Sequence, residues 1–446
     1  MTAPTTHNRK ALARRRKQLM QAAGDGAILI LPAAPERIRS RDTHYPYRQD
    51  SDFWYLTGCN EPDAVLVLVP GRKHGEAILF CRERDPEREG WDGPRLGPDG
   101  AVELLGMDDA YPISDIDDIL PGLLEGHRRV HYHLGRDADF DLKLIGWLNR
   151  VRAQARHGAQ PPQEFLELGH LLDEMRLFKS ADEIKLMQRA ADISVEAHRA
   201  AMRAARAGIH EYELQAELER VFRMHDAQPA YASIVGAGAN ACVLHYRDNS
   251  AKSRDGELVL IDAGAEYRGY AADITRTFPV NGRFSKEQRA LHDLVCAAQA
   301  TALAQSRPGV AYEAGHDAAV ATLTEGLLSL GLLKGRLETA IERGDYKRFY
   351  RHKTGHWLGL DVHDVGEYRI DGESRLLEPG MVFTLEPGIY FIDMLLDELK
   401  QKGLADAVDW ARVEAFKPYG GIRIEDDVVC TDGAPLNLTR EAFAGA

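Results

Sequence analysis

The sequence predicts an α+β protein with an N-terminal α/β domain and a larger C-terminal unit, and three observations carry that prediction. Apolar runs of strand length and helical patterns are mixed through roughly the first 170 residues. A long amphipathic stretch with a helix-start signal then opens a second unit. From there to near the end, helices alternate with glycine-punctuated strand pairs, the pattern of an antiparallel sheet carrying helices.

The basic run "RKALARRRKQLM", residues 9–20, reads as an opening helix whose arginines and lysines form a solvated face, because it stands alone in an acidic chain. "GAILILPAAP" follows, too short and without the small-residue cleavage pattern of a signal peptide. "AILILP", "AVLVLVP", "EAILFC" and "RVHYHL" read as strands, and "DFDLKLIGWLNRVRAQA" as a helix. Between them "RERDPEREGWDGPRLGPDG", residues 82–100, is rich in Gly, Pro and charge and is expected as a long surface loop. "RHGAQPPQEF", residues 156–165, marks a domain edge. The second unit begins in "FKSADEIKLMQRAADISVEAHRAAMRAARAG", where Ser180 and Glu183 form a capping box. Ile184, Met187, Ala191, Val195 and Met202 follow at near-helical spacing, and Gly208 is the expected stop.

With 446 residues the chain can bury sizeable cores, and 44% apolar residues is ordinary for a globular protein. A formal net charge of −13 opposes a nucleic-acid or anionic-membrane partner, whose binding is driven by Lys and Arg. No stretch approaches the roughly 18 to 20 apolar residues needed to cross a bilayer. Five scattered cysteines without a C-x-x-C pair argue against a disulfide framework or a thiolate zinc site and fit a reducing cytoplasm.

The chemistry concentrates in "VLIDAGAEYRGYAADITRTFPV", residues 259–280. Two strand-like runs joined by a polar turn form a hairpin, and a reversal centred between Tyr267 and Arg268 sets Asp262 directly opposite Asp273. Directly opposed residues share a face with Cβ atoms roughly 4.5–5.5 Å apart, where like charges repel. The pair is either a solvated edge, a dyad sharing one proton, or two ligands of a cation. "RHKTGHWLGLDVHDVGEY" adds His352, His356 and His363, "LEPGMVFTLEPGIYF" adds Glu386, and "GGIRIEDDVVC" alternates so that Arg423, Glu425 and Asp427 share a face. Asp262, Asp273, His356, Glu386 and Glu425 supply four carboxylates and one imidazole, an inventory suited to two hard or borderline divalent ions, Mn²⁺, Co²⁺, Zn²⁺ or Fe²⁺. Two such ions ~3.5 to 4 Å apart hold a hydroxide nucleophile at neutral pH.

The segments "IDAGAEYRGYAADITRTFPV", "HWLGLDVHDVGEY", "TLEPGIY" and "GGIRIEDD", in this order, resemble the dinuclear metallopeptidases of the pita-bread fold, the superfamily of methionine aminopeptidase, prolidase and aminopeptidase P. "YPYRQDSDFWYLTGCNEPDAVLVLVPG" and "RERDPEREGWDGPRLG" resemble aminopeptidase P in particular. The resemblance implies an N-terminal domain over residues 1–173 and a pita-bread catalytic domain over 174–446. It implies that Asp262 and Asp273 hold one metal, that Asp273 and Glu425 bridge, and that His356 and Glu386 complete the second, with Mn²⁺ the first expectation. His245, in "CVLHY", would contact the substrate near the scissile carbonyl, and His363 would face the substrate pocket. Arg423 would support Glu425, and His352 and Tyr390 would line the pocket. Glu386 and Arg423 thereby join His245 and His363 among the catalytic groups. Asp42 and Trp91 match positions near the substrate's end, with Trp91 acting across a subunit boundary of a homodimer or homotetramer.

Two features depart from the family pattern. Lys353 stands where a glycine usually follows the first histidine, and a long segment after Tyr390, residues 391–419, resembles prolidases more than aminopeptidase P. The expected activity is that of a cytoplasmic Xaa-Pro aminopeptidase acting on proline-containing peptides. A prolidase restricted to dipeptides is the alternative, and a non-catalytic peptide-binding pita-bread module the third reading.

Overall fold

The computed structural model describes residues 9–401 and 405–444, divided into two compact units, 1–175 and 176–446. In the first unit six strands form one mixed sheet in the spatial order Asp109–Pro112, Ala77–Cys81, Val65–Leu68, Ala27–Pro32, Arg129–Tyr132, Glu164–Glu167. The three central pairings of this sheet are hydrophobic: Leu29 lies opposite Leu68 and Ile30 opposite Val67, while Val67 is also paired with Ile78. The helix Ala138–Ala153 contributes Phe140, Leu144, Trp147, Leu148 and Val151 to the core against this sheet. Because Glu164–Glu167 still pairs with Arg129–Tyr132, the chain from 156 to 165 runs into this sheet instead of leaving the unit.

The opening helix forms as expected over Arg9–Ala23, but its basic face is not wholly solvated. Arg15 and Arg16 are 9% and 2% exposed. Arg15 donates to Tyr55 O at 3.0 Å and lies over the Tyr55 ring, and Arg16 donates to Leu56 O at 2.9 Å and Gly106 O at 2.7 Å. These guanidiniums satisfy carbonyls at two helix ends, the placement the macrodipole favours. The expected loop at 82–100 is likewise corrected, since Pro86–Asp92 and the start of Gly97–Leu105 are helical. Pro86 stands at the first turn behind the Asp85 cap, where its missing N–H costs nothing.

In the second unit the capping box at Ser180 and Glu183 starts the helix Ala181–Ala204, which ends at Ala205, three residues before Gly208. This helix packs with Glu211–Met224 against a three-stranded sheet in which Leu258–Asp262 pairs with both Ile234–Ala237 and Thr275–Pro279. A second core joins the helices Lys286–Ala304 and Tyr312–Ser329 to the antiparallel pairs Val382–Leu385 with Asp426–Val429 and Gly388–Tyr390 with Gly421–Arg423. The segment after Tyr390 forms the helices Asp393–Gln401 and Trp410–Phe416, and Leu396, Val408, Val413 and Phe416 bury in that core; residues 402–404 lie outside the described residues.

The hairpin register differs from expectation. Tyr267 pairs with Tyr270 and Asp262 with Thr275, so the reversal centres between Arg268 and Gly269, one residue later. Both turn residues have positive φ, +56° and +86°, the geometry that closes a two-residue hairpin with the strands' own twist. Asp273 is therefore two residues from the position opposite Asp262. An offset of two keeps it on the same face.

Candidate active site

Asp262 ends the strand Leu258–Asp262, and Asp273 stands two residues before the return strand Thr275–Pro279. Between them the backbones come very close: a Cβ at Gly264 would sit 1.6 Å from Ala272 O, so this residue has to be glycine. The Tyr231 hydroxyl lies 2.6 Å from Asp262 Oδ1 and 2.5 Å from Asp273 Oδ1. One hydroxyl proton serves only one of these contacts at a time.

Three other segments converge on the pair. His356 places Nε2 3.3 Å from Asp273 Oδ2 and 3.9 Å from Glu386 Oε1, while its Nδ1 lies 3.0 Å from Trp357 O. A bond from Nδ1–H to that carbonyl leaves Nε2 to act as a ligand atom. Glu425 Oε2 accepts from Thr275 Oγ1 at 2.6 Å. Ligand atoms of Asp273, His356 and Glu425 lie within 4.8 Å of one another. Arg423 donates from Nη2 to Asp262 Oδ2 at 2.5 Å and from Nη1 to Tyr390 Oη at 3.0 Å. Asp427 accepts from Asp273 N at 3.2 Å. Arg423, Glu425 and Asp427 are thus turned to one buried face, as the alternation predicts, although the strand breaks between Arg423 and Asp426.

Such crowding has an electrostatic cost. Burial pushes Asp262 up to about 6 and Glu386 up to about 7, with neighbouring carboxylates adding to the effect and Arg423 opposing it. Burial, reinforced by Asp273, raises Glu425 and Asp427 well above the ordinary carboxylate range. In Asp273 burial acts in the same direction but is outweighed by the hydrogen bond and charge of His356, and the net shift is downward. His356 itself, which burial alone would lower, is pushed up to about 9 by Asp273 and Glu386. Glu386, Glu425, Asp427 and His356 therefore hold protons to higher pH than they would in water, whereas Asp273 gives its proton up more readily. A donor set of four carboxylates and one imidazole nitrogen, short of positive charge, fits divalent cations.

The remaining expected residues are placed as follows. His352 Nε2 is 2.9 Å from Tyr390 Oη, and burial, then Arg423, lowers its pKa to about 3, so it is neutral. Tyr390 is fully buried, its hydroxyl shared by His352 and Arg423. The His363 ring stands 4.4 Å from that of His356 at 80°, and burial, then the charge of His356, holds it below its usual pKa, with a smaller contribution from His245. His245 is exposed, in the segment after the short turn Gly238–Cys242. In the first unit Asp42 lies in the exposed turn between Ile38–Ser40 and Thr43–His44, and Trp91 is 85% exposed near the end of its helix. Lys353 is exposed and lies 3.9 Å from Glu313. A cavity of about 550 Å³ is lined by Thr354, Gly355, Thr384 and Leu385 with Tyr312 and His316, and none of the clustered carboxylates borders it.

Residues 185–432 match metallopeptidase family M24, and residues 12–132 match the aminopeptidase P N-terminal domain. The chain belongs to metallopeptidase family M24. Within that family it is 44% identical over 434 residues to the Xaa-Pro aminopeptidase of Escherichia coli K12, covering 97% of this chain and 95% of that one. Its fold is similar to that of Pseudomonas aeruginosa aminopeptidase PepP, with TM-score 0.92 and 54% identity over 97% of this chain and 95% of that one. A substrate complex of Escherichia coli aminopeptidase P superposes with TM-score 0.90 at 43% identity, covering 97% and 95%. The architecture is thus an aminopeptidase P N-terminal domain followed by the M24 pita-bread domain, which carries every carboxylate of the cluster.

Sequence reasoning missed two members of this M24 site. Tyr231, in "PAYASIV", carries no local signal. Thr275 did carry one, because it lies two residues beyond Asp273 and period-2 alternation keeps it on the same face.

Proposed function

We infer that this M24 enzyme is an Xaa-Pro aminopeptidase, hydrolysing the bond between an N-terminal residue and a following proline. The observation that carries the inference is the convergence of Asp262, Asp273, His356, Glu386 and Glu425 on one buried cluster in a chain related over nearly its full length to such enzymes. These five residues are proposed to hold two divalent cations, Mn²⁺ first among Mn²⁺, Co²⁺, Zn²⁺ and Fe²⁺ because the set is mostly hard oxygen. Bound there, the ions would supply Lewis-acid polarisation of the scissile carbonyl and a water that is acidic at neutral pH.

The protein's own groups prepare that chemistry. Thr275 and Arg423 fix one carboxylate oxygen each on Glu425 and Asp262, and the Trp357 carbonyl fixes the tautomer of His356. His245 and His363, the latter with its ring 4.4 Å from that of His356, are assigned on family resemblance to donate an imidazole N–H to charge developing on the carbonyl oxygen. Neutral His352 is held at both ring nitrogens, Nδ1 donating to Lys353 O at 2.8 Å and Nε2 accepting from Tyr390 Oη at 2.9 Å, and is assigned to line the substrate pocket on family resemblance. Proline's imide nitrogen lacks a hydrogen, so a dedicated pocket recognises shape in place of a donor. Asp42 and Trp91 are assigned to the substrate's far end on family resemblance, as is a homodimer or homotetramer. All five cysteines are free thiols, which supports a reducing, cytoplasmic location, and no described helix is long and apolar enough to cross a membrane.

The test is kinetic: with Mn²⁺ supplied, kcat/KM is measured on matched Xaa-Pro and Xaa-Pro-Yaa substrates. Cleavage of the longer peptides at least as fast supports the aminopeptidase. A strong preference for the dipeptide establishes the prolidase alternative, and metal-loaded protein inert on both establishes the binding-module reading.

A further inference from the structure

A second buried charge cluster lies beside the turn that carries His363. Arg176, Lys179 and Asp364 have side chains only 3%, 1% and 1% exposed. Lys179 Nζ donates to Asp364 Oδ2 at 2.9 Å and to Leu177 O at 3.3 Å, while Arg176 Nη2 donates to Asp364 Oδ1 at 2.5 Å and Asp361 Oδ2 at 2.7 Å. The space for the pair is made by Gly359, where a Cβ would fall 2.1 Å from Asp364 Oδ2 and 2.9 Å from Lys179 Cε. The backbone of Asp364 donates to Trp357 O at 3.0 Å, the same carbonyl that contacts His356 Nδ1.

His363, the preceding residue, is largely exposed, and no hydrogen bond to its ring comes from the described residues. Its aim toward His356 and the carboxylates therefore depends on the backbone of the turn from Leu358 to Gly366. That backbone is tied at Leu358 to Val382 O and at Gly359 O to Ala271 N, but Asp364 is the tie adjacent to His363 itself. Burying two cations and a carboxylate is a weak way to gain stability, since apolar residues of similar volume often do as well. It is an effective way to hold one backbone geometry, because the carboxylate and the planar guanidinium have fixed directions to satisfy and the ammonium fills the remaining carboxylate oxygen.

We propose that Asp364, clamped between Lys179 and Arg176, is a positioning residue that fixes His363 over the metal-binding face. The proposal rests on the assignment of His363 to the substrate side made above. Peptide hydrolysis with Mn²⁺ is compared for wild type, Asp364→Asn, His363→Ala and the double variant, with metal content and urea unfolding measured on each. Expected is a kcat about tenfold or more below wild type for Asp364→Asn with two metals still bound, as a catalytic group displaced by about an ångström costs that much or more. In the His363→Ala background the same change should alter kcat by less than about twofold, because both act through one ring. Should Asp364→Asn not fold, Lys179→Met combined with Asp364→Leu removes the pair without leaving a lone charge, and the same loss of kcat is expected. A folded, metal-loaded variant with kcat within about twofold of wild type overturns the proposal, as does a loss that multiplies with that of His363→Ala. Loss of metal in place of kcat also overturns it. Unimpaired His363→Ala would instead sink the role of His363 itself, and the clamp's role with it.

Discussion

Glu386→Gln should stabilise the metal-free protein at neutral pH and leave it unchanged in acid. Burial, helped by Asp273 and Asp262, raises Glu386 from 4.5 to about 7 in the folded chain. A raised folded-state pKa means that the native state keeps its proton while the unfolded chain gives it up, so stability is complete below pH 4.5 and is lost as pH rises toward 7. At ~1.4 kcal/mol per pH unit, that interval corresponds to roughly 3 kcal/mol, a large fraction of a typical domain's stability. Glutamine carries no charge and escapes the loss. In the presence of chelator, Glu386→Gln should therefore melt about 5–10 °C above wild type near pH 7.5 and at the same temperature near pH 4.5. Supplying Mn²⁺ should reverse the order at pH 7.5, because the cation stabilises the wild-type carboxylate and binds the variant more weakly. Differential scanning calorimetry of both proteins at the two pH values, with and without metal, is sufficient. Comparing variant with wild type removes the opposing effect of buried histidines away from Glu386, such as His198, which burial lowers to about 4. A variant no more stable than wild type in chelator at pH 7.5, or an advantage independent of pH, would refute the electrostatic reading of the cluster.

Three further outcomes follow from individual contacts. Thr275→Val removes the donor 2.6 Å from Glu425 Oε2 and should weaken metal binding about 10- to 100-fold in chelator competition; unaltered affinity would show that Thr275 does not orient Glu425. Arg16→Ala leaves the carbonyls of Leu56 and Gly106 without their buried donor and should cost about 2–4 kcal/mol in urea unfolding, against less than about 0.5 kcal/mol if the basic face were solvated. Gly264→Ala forces Ala272 O away and separates the strands bearing Asp262 and Asp273, so soluble protein should bind fewer than two metals by elemental analysis; full stoichiometry would contradict the close packing seen there.

How far the site was legible depended on what each residue's chemistry leaves in the sequence. The carboxylates were readable because parity survives errors of register: the turn at Arg268 and Gly269 shifts the pairing by two, and Asp273 stays on the face of Asp262. Alternation likewise placed Arg423, Glu425 and Asp427 together even though the strand is interrupted between them. What failed were inferences from composition. Arginine in a charge run predicts a solvated face, yet Arg15 and Arg16 bury to cap helix ends whose carbonyls lie 40 and 90 residues away in sequence. Proline and glycine in residues 82–100 predict a loop, whereas Pro86 starts a helix, Gly93 ends it and Gly97 opens the next. Tyr231 and the Arg176–Lys179–Asp364 cluster depend on contacts between distant segments, for which a single sequence offers no period.

The two buried charge clusters of the second unit are built on opposite principles. Around Asp364 the charges balance within the protein: Lys179 and Arg176 face Asp364 and Asp361, every distance is 2.9 Å or less, and the cations hold the Asp364 carboxyl below its usual range against the opposing effect of burial. Around Asp273 they do not. Asp262, Glu386, Glu425 and Asp427 all shift upward, and Arg423 and His356 are the only cationic side chains paired with the group among the described residues. A protein able to neutralise one buried acidic residue with two cations has left Asp262, Glu386, Glu425 and Asp427, gathered from separate segments of the same unit, short of positive charge. The deficit is most simply understood as the space and charge reserved for divalent ions, and the balanced cluster as the rigid mount that keeps the adjoining histidine in register with them.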